Sequence, residues 1–145
     1  MAFPQPVPGL VIRYAYLWRA DFLKGQEEGV NDRPCAVILV THTSEGEPIV
    51  TVLPVTHSPA RDPALAIEIP AETKRRLRLD AERSWIMLDE ANQFAWPGPD
   101  LRPANPGEAE SVVYGLLPRA FYLKMRERFM SVLMRSGAGV VGRSE

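Results

Sequence analysis

The order of hydrophobic and polar residues predicts a chain built mainly of short β-strands. Apolar or alternating runs of strand length occur at residues 10–18, 34–40, 49–55, 65–69, 84–90 (with 91–96 as its continuation or partner) and 112–117. The polar residues 19–32 and the proline-rich residues 97–111 predict loops, and Gly46 between two acids predicts a hairpin turn. Pro54 lies inside the third run and indicates an edge strand or a bulge, because proline cannot donate a ladder hydrogen bond.

Two segments carry helical signals. Residues 70–79 begin with proline and predict one or two helical turns. Residues 118–135 predict a long helix, because apolar residues recur there at steps of three and four. This stripe consists of Phe121, Met125, Phe129 and Val132, and a second apolar set beside it consists of Leu123, Met130 and Met134. Many short strands and one terminal helix predict a mainly β fold, a small barrel with the helix packed outside.

The composition is that of one globular domain of 145 residues, of which 46% are apolar and 24% charged. We expect residues 1–8 to form an extended lead-in without a signal peptide, and residues 137–145 a flexible tail. The single cysteine, Cys35, excludes an intramolecular disulfide and favours a reducing, cytoplasmic compartment. No apolar run reaches the roughly 20 residues of a membrane-spanning helix. The formal net charge of −1 does not mark a nucleic-acid binder, so such a role requires a local basic patch.

Polar side chains stand where two of the predicted strands begin or end. Arg33 directly precedes the buried run at 34–40, where a guanidinium group can bind phosphate or, alternatively, anchor the loop to carbonyl groups. Thr56, His57 and Ser58 follow the next strand, where they form either an acid–base and phosphate-binding cluster or the start of a turn. One cysteine and two separated histidines do not make a zinc ligand set, so we expect no metal site.

Further candidates lie in the second half of the chain. Asp89 and Glu90 end a strand, and a period of two places them on opposite faces, so at most one can face a given site. Basic residues that could contact a phosphate backbone, or simply form a solvated surface, are Arg61, Lys74, Arg75, Arg76 and Arg78. Trp96 is the better candidate for stacking on a base, whereas Trp85 is expected in the core.

Four segments in order resemble the MazF/PemK/Kid family of toxin endoribonucleases. They are GQEEGVNDRPCAVILV, VTVLPVTHS, SWIMLDEANQF, and YGLLP at the head of the final helix. The resemblance extends from about residue 9 to residue 133. It implies an SH3-like barrel that forms a homodimer, cleaves single-stranded RNA without metal or other cofactor, and is neutralised by an antitoxin. RNA would then lie in a groove shared by the subunits and bordered by an acidic loop that contains Glu27, Glu28 and Asp32.

The resemblance also implies roles for individual residues. Arg33 matches the arginine of the family's Arg-Pro pair, Thr56 matches the threonine that closes the following strand, and Asp89 matches the catalytic aspartate of the Kid branch. The general base would be Asp89, which the family match favours, or His57. Asn92 stands where many members carry an arginine, and Met87 stands where the Kid branch carries the basic partner of its aspartate. Two alternatives therefore stay open: a non-catalytic toxin of the CcdB type on the same fold, and a degenerate relative that binds only its partner.

Overall fold

A computed structural model describes residues 3–25, 31–105, 111–136 and 139–143. In chain order, its strands and helices are β1 (Leu10–Tyr16), α1 (Arg19–Leu23), β2 (Asn31–His42), β3 (Pro48–Thr56), β4 (Ala66–Glu68), α2 (Ala71–Arg76), β5 (Trp85–Met87), β6 (Glu90–Ala95), β7 (Val113–Leu116), α3 (Arg119–Ser136) and β8 (Gly139–Gly142). A single 3-10 turn, Pro63–Leu65, precedes β4. No helix within these ranges is both long and apolar enough to span a bilayer.

The strands form one mostly antiparallel sheet that curls into a half-barrel. Its main path runs β4-β5-β3-β2-β1-β7, while β6 pairs with β3 and, in parallel, with β8. The strand β3 changes partner along its length, since Ile49–Val52 pairs with β6 and Val55–Thr56 with β5. Pro54 lies between these stretches, at the point where β3 changes partner, and on the other side of β3 it pairs with Cys35 of β2. The predicted mainly β fold with a C-terminal helix is confirmed.

The core lies on both sides of the sheet. On one side, α3 buries Met125, Phe129 and Val132 against apolar residues of the sheet, as its periodicity predicts. On the other side, Tyr14 and Phe94 stack with ring centroids 4.5 Å apart. The second apolar set on α3 stays in solvent, and Met134 is the most exposed of its members at 84%.

The structure differs from the predictions for one loop and for the C-terminal tail. Residues 19–32 contain a short helix, α1, and the start of β2, while Glu27 and Glu28 lie outside the described residues. The tail expected to be flexible contains β8, and Arg143, the residue that follows this strand, is buried. The guanidinium group of Arg143 donates to the carbonyl of Ala15 at 2.8 Å and pairs with Asp100 at 2.9 Å. These contacts hold a strand too short to be recognised from its own sequence.

Candidate functional site

A polar cleft of about 480 Å³ opens where the end of β3 meets the middle of β1, the beginning of β2 and the segment around α2. Its charged and polar lining consists of Arg13, Asp32, Arg33, Thr56, His57, Lys74, Arg78, Asp80, Ser84 and Tyr114. Of the residues singled out from the sequence, Arg33, Thr56 and His57 meet here although 22 or more residues separate the first from the other two. The cleft is thus a non-local site assembled by the strand pairing of the half-barrel.

Arg33 forms one wall of the cleft. Its guanidinium group lies over the ring of Trp18, with Cζ 4.8 Å from the ring centroid, and Nη1 donates to the carbonyl of Val55 at 3.2 Å. The Nε atom is buried and has no hydrogen-bond partner among the described residues. A guanidinium group carries five N–H donors. The loop-anchoring contact therefore leaves donors of Arg33 that could bind an anion, because one carbonyl uses only part of the donor set.

Thr56 ends β3 at the mouth of the cleft. Its Oγ1 accepts a hydrogen bond from the backbone N–H of Ser58 at 3.3 Å, which is the turn-forming contact expected of a threonine in this place. This bond uses an oxygen lone pair and leaves the hydroxyl hydrogen able to donate. The turn therefore holds the hydroxyl group at the cleft without using its hydrogen. Ser58 and Arg61 are exposed on the loop beyond and do not line the cleft.

His57 is held by a carboxylate that the sequence analysis missed. The Nε2 atom of His57 lies 2.7 Å from Oδ2 of Asp80, while Oδ1 of the same carboxylate accepts from Lys74 at 2.6 Å. Partial burial raises the pKa of Asp80, but hydrogen bonds from Lys74 and His57 outweigh that effect and leave the pKa below its usual value. Asp80 therefore stays ionised and joins the exposed histidine to the buried lysine.

The structure gives Lys74 a different position from the solvated one expected. It is only 4% exposed, and its ammonium group donates to Asp80, to the hydroxyl of Ser84 at 2.7 Å and to the carbonyl of Glu82. An ammonium group has three donors, and all three are used. For Lys74 to contact RNA directly, as predicted, a phosphate would have to displace one of these buried partners.

The end of α2 projects Arg78 into the cleft. The N–H groups of Arg78 and Leu79 donate to the carbonyls of Arg75 and Lys74, the paired bonds of a Schellman motif. Arg78 takes the left-handed position of this motif with φ of 57°, where glycine is usual. Its side chain also lines an adjoining pocket of about 310 Å³ together with Arg76. Arg75 is exposed and lines neither pocket.

Arg13 and Tyr114 are further cleft residues that sequence reasoning missed. Burial raises the pKa of Tyr114, although the positive charge of Arg13 and a hydrogen bond with it oppose that shift. Arg13 is the one charged residue in the otherwise apolar and aromatic run 10–18, and its neighbours Ile12 and Tyr14 are fully buried. That contrast was the available signal, since strand alternation places Arg13 on the opposite face from both. Asp32 lies beside Arg102 at 3.6 Å.

Three candidates lie elsewhere in the fold. Asp89 occupies the turn before β6 and does not line the cleft; its Oδ1 is buried without a hydrogen-bond partner within the described ranges. Glu90 accepts from the hydroxyl of Tyr16 at 2.9 Å, and burial raises its pKa. Trp96 bonds to the backbone of Pro4 and Pro48, the latter at the opposite end of β3 from Thr56. The structure therefore brings neither Asp89 nor Trp96 into the cleft.

His57, Asp80 and Glu82 place three possible metal-ligand atoms within 4.8 Å of one another. Their arrangement does not suit a cation, because the ammonium group of Lys74 already neutralises Asp80 at 2.6 Å. All three groups are also exposed, as acidic surface residues commonly are. The geometry is better described as a histidine held by a carboxylate.

Comparison with known proteins adds one match. A family model for the PemK-like, MazF-like toxin of type II toxin-antitoxin systems matches residues 15–95, which is more than half of the chain. The matched stretch includes Arg33, Thr56, His57 and Asp80. Neither the curated proteins nor the solved structures contain a significant match.

Proposed function

The chain belongs to the PemK-like, MazF-like family of toxins of type II toxin-antitoxin systems, and from this premise we propose that it is an endoribonuclease that cleaves single-stranded RNA without a metal ion. The observation that carries the proposal is the meeting of Arg33, Thr56 and His57 around one cleft. These side chains supply a fixed cation, a hydroxyl donor and a proton acceptor, which would respectively stabilise the charged phosphate, bind its oxygen and accept the 2′-OH proton during RNA cleavage.

The proposed reaction needs no covalent enzyme intermediate. The 2′-oxygen of one nucleotide attacks the adjacent phosphorus while His57 takes the 2′-OH proton, and the bond from phosphorus to the 5′-oxygen breaks. The products are a 2′,3′-cyclic phosphate and a 5′-hydroxyl group, whose proton comes from water or from the hydrogen-bonded network around Arg33. His57 is preferred to Asp89 as the base because His57 lines the cleft and histidine exchanges protons near neutral pH.

Arg33 and Thr56 would stabilise the charge that develops on the phosphate. The stack on Trp18 and the bond to Val55 fix the guanidinium plane before RNA binds, so little reorganisation is needed during the reaction. The Thr56 hydroxyl group would donate to a non-bridging oxygen. Arg13 and Arg78 add positive charge on other walls of the cleft and would bind flanking phosphates. Ser58, Arg61, Arg75 and Arg76 do not line the cleft and would contact phosphates farther along the RNA.

Membership of this family implies an antitoxin partner. We expect the antitoxin to neutralise the protein by placing an acidic, disordered segment in the same basic cleft, where it would fold on binding. We also propose a homodimer formed through the exposed apolar set on α3, which contains Leu123, Met130 and Met134. RNA would then lie in a groove shared by both subunits.

The proposal is tested by incubating the purified protein with a long single-stranded RNA in EDTA. Discrete fragments ending in a cyclic phosphate are expected. Arg33→Ala should abolish cleavage, and Arg33→Lys should restore little, because lysine lacks the planar fork. Arg83→Ala is the matched control, since Arg83 also stacks on a tryptophan, at 5.0 Å, but does not line the cleft. Absence of cleavage with inhibition of a topoisomerase instead would favour the non-catalytic alternative.

A further inference from the structure

Asp80 joins an exposed histidine at the cleft to a buried lysine beneath it. We propose that Asp80 is a positioning residue, which holds His57 in the tautomer whose Nδ1 accepts the proton of the RNA 2′-OH. This inference rests on the proposed function for its chemistry, but the tautomer itself is a property of the free protein. It adds a residue to the site that lies 23 positions from the histidine it orients.

The carboxylate of Asp80 is held by groups other than His57. Lys74 holds Oδ1 at 2.6 Å, and the backbone N–H of Glu82 donates to the same oxygen at 3.2 Å. Lys74 is itself anchored by Ser84 at 2.7 Å. Oδ2 is therefore the carboxylate oxygen that faces His57. The orientation of the Asp80 carboxylate depends on the buried Lys74 and Ser84, and not on His57 alone.

An ionised carboxylate only accepts hydrogen bonds, and this fixes the histidine tautomer. Because Oδ2 of Asp80 lies 2.7 Å from Nε2, the hydrogen of a neutral His57 must be on Nε2. The lone pair is then on Nδ1, which has no hydrogen-bond partner among the residues that the structure describes. Glu82 lies farther away, with Oε2 at 3.7 Å from Nε2, and so contributes charge rather than a hydrogen bond.

The substitution Asp80→Asn separates this role from a purely structural one. An asparagine would still accept from Lys74 through its carbonyl oxygen, so the buried ammonium group keeps its partner. The amide NH₂ group would then face Nε2 of His57 and donate to it. The expected result is an inverted tautomer, with the hydrogen on Nδ1 and the proton acceptor turned away from RNA. The reverse orientation of the amide is unfavourable, because it would place the NH₂ group of the asparagine against the ammonium group of Lys74, and both groups are donors.

The experiment records long-range ¹H–¹⁵N spectra of the two imidazole rings at a pH where both are neutral. The sequence contains only His42 and His57, so His42→Gln assigns the signals. We expect the Nε2–H tautomer for His57 in the wild type and in Glu82→Gln, which removes a nearby charge without breaking the 2.7 Å contact. We expect the Nδ1–H tautomer in Asp80→Asn, with thermal stability monitored in parallel.

Cleavage rates complete the test. His57→Ala should slow cleavage by about 10²-fold or more, the range of a lost acid–base group. Asp80→Asn should slow it by at least about tenfold, and should add nothing in the His57→Ala background. An Nδ1–H tautomer in the wild type, which needs no variant to fold, would overturn the proposal, as would equal rates for Asp80→Asn and Glu82→Gln. Failure of the wild type to cleave any RNA would instead refute the proposed function.

Discussion

Replacing Thr56 by valine removes one hydroxyl group from the cleft and keeps the β-branched shape that suits the end of β3. The folded protein loses one long hydrogen bond, from the Ser58 N–H at 3.3 Å, and that exposed donor can turn to water. We expect the free energy of unfolding to fall by less than about 1 kcal/mol. If the hydroxyl donates to the reacting phosphate, the cleavage rate should fall by about 10²- to 10³-fold, which corresponds to roughly 2.7–4 kcal/mol.

Single-turnover cleavage and thermal unfolding measure these two quantities on the same samples. Thr56→Ser should keep most of the rate because it keeps the donor. Thr51→Val is the matched control, since Thr51 lies on the same strand, accepts from Gln93 at 3.2 Å and does not line the cleft. That control should lose stability without losing rate. Equal cleavage rates for Thr56→Val and Thr51→Val, or a Thr56→Ser variant as slow as Thr56→Val, would show that the Thr56 hydroxyl does not donate to the reacting phosphate.

Three further predictions follow from the geometry. Arg78→Gly should weaken RNA binding and reduce the salt dependence of the binding constant by about one unit of log–log slope. It should also raise the free energy of unfolding by up to about 1 kcal/mol, because glycine adopts a φ of 57° without strain. Anisotropy titrations and unfolding curves check both effects, and Arg78→Ala should weaken binding without the gain in stability. Glu90→Gln should raise the Tm near neutral pH, because burial raises the pKa of Glu90 and penalises its charged form. The difference in Tm between the variant and the wild type should shrink as the pH falls through that raised pKa, because the wild-type carboxyl group is then protonated. A Tm difference that grows in acid would contradict this prediction. Met130→Glu with Met134→Glu should convert a dimer into a 16.2 kDa monomer in light scattering, whereas a wild-type monomer with full activity would contradict the shared groove.

The elements that could be predicted from the sequence are those that bury a regular apolar pattern. The long strands and α3 carry such patterns over seven or more residues, so hydrophobic periodicity identifies them. The helix α1 and the strand β8 are only five and four residues long. Both depend on contacts distant in the chain, such as the bond from Gly139 to the carbonyl of Asp89. Local pattern carries no information about those partners.

The same limit divides the candidate site. Arg33, Thr56 and His57 stand next to recognisable strands, so their meeting could be anticipated. Asp80 could not, because its role depends on His57 and on a lysine that looks like part of a solvated basic run. A helical signal for the lysine was nevertheless present, since Lys74 precedes Leu77 by three residues and so shares the apolar face of α2. The four basic residues among residues 74–78 instead favoured the interpretation of a solvated surface.

Asn92, which the resemblance aligns with an arginine of many family members, has a structural role in this chain. Its amide bonds both backbone groups of Leu17, at 2.9 and 2.8 Å, and accepts from Arg143 at 3.0 Å. An arginine at position 92 could not accept either bond, because a guanidinium group only donates. Position 92 therefore belongs to the packing of β8 against the sheet, and the buried guanidinium group comes from Arg143. The positive charge facing the cleft must come from other positions, and the structure provides it through Arg13, Arg33 and Arg78.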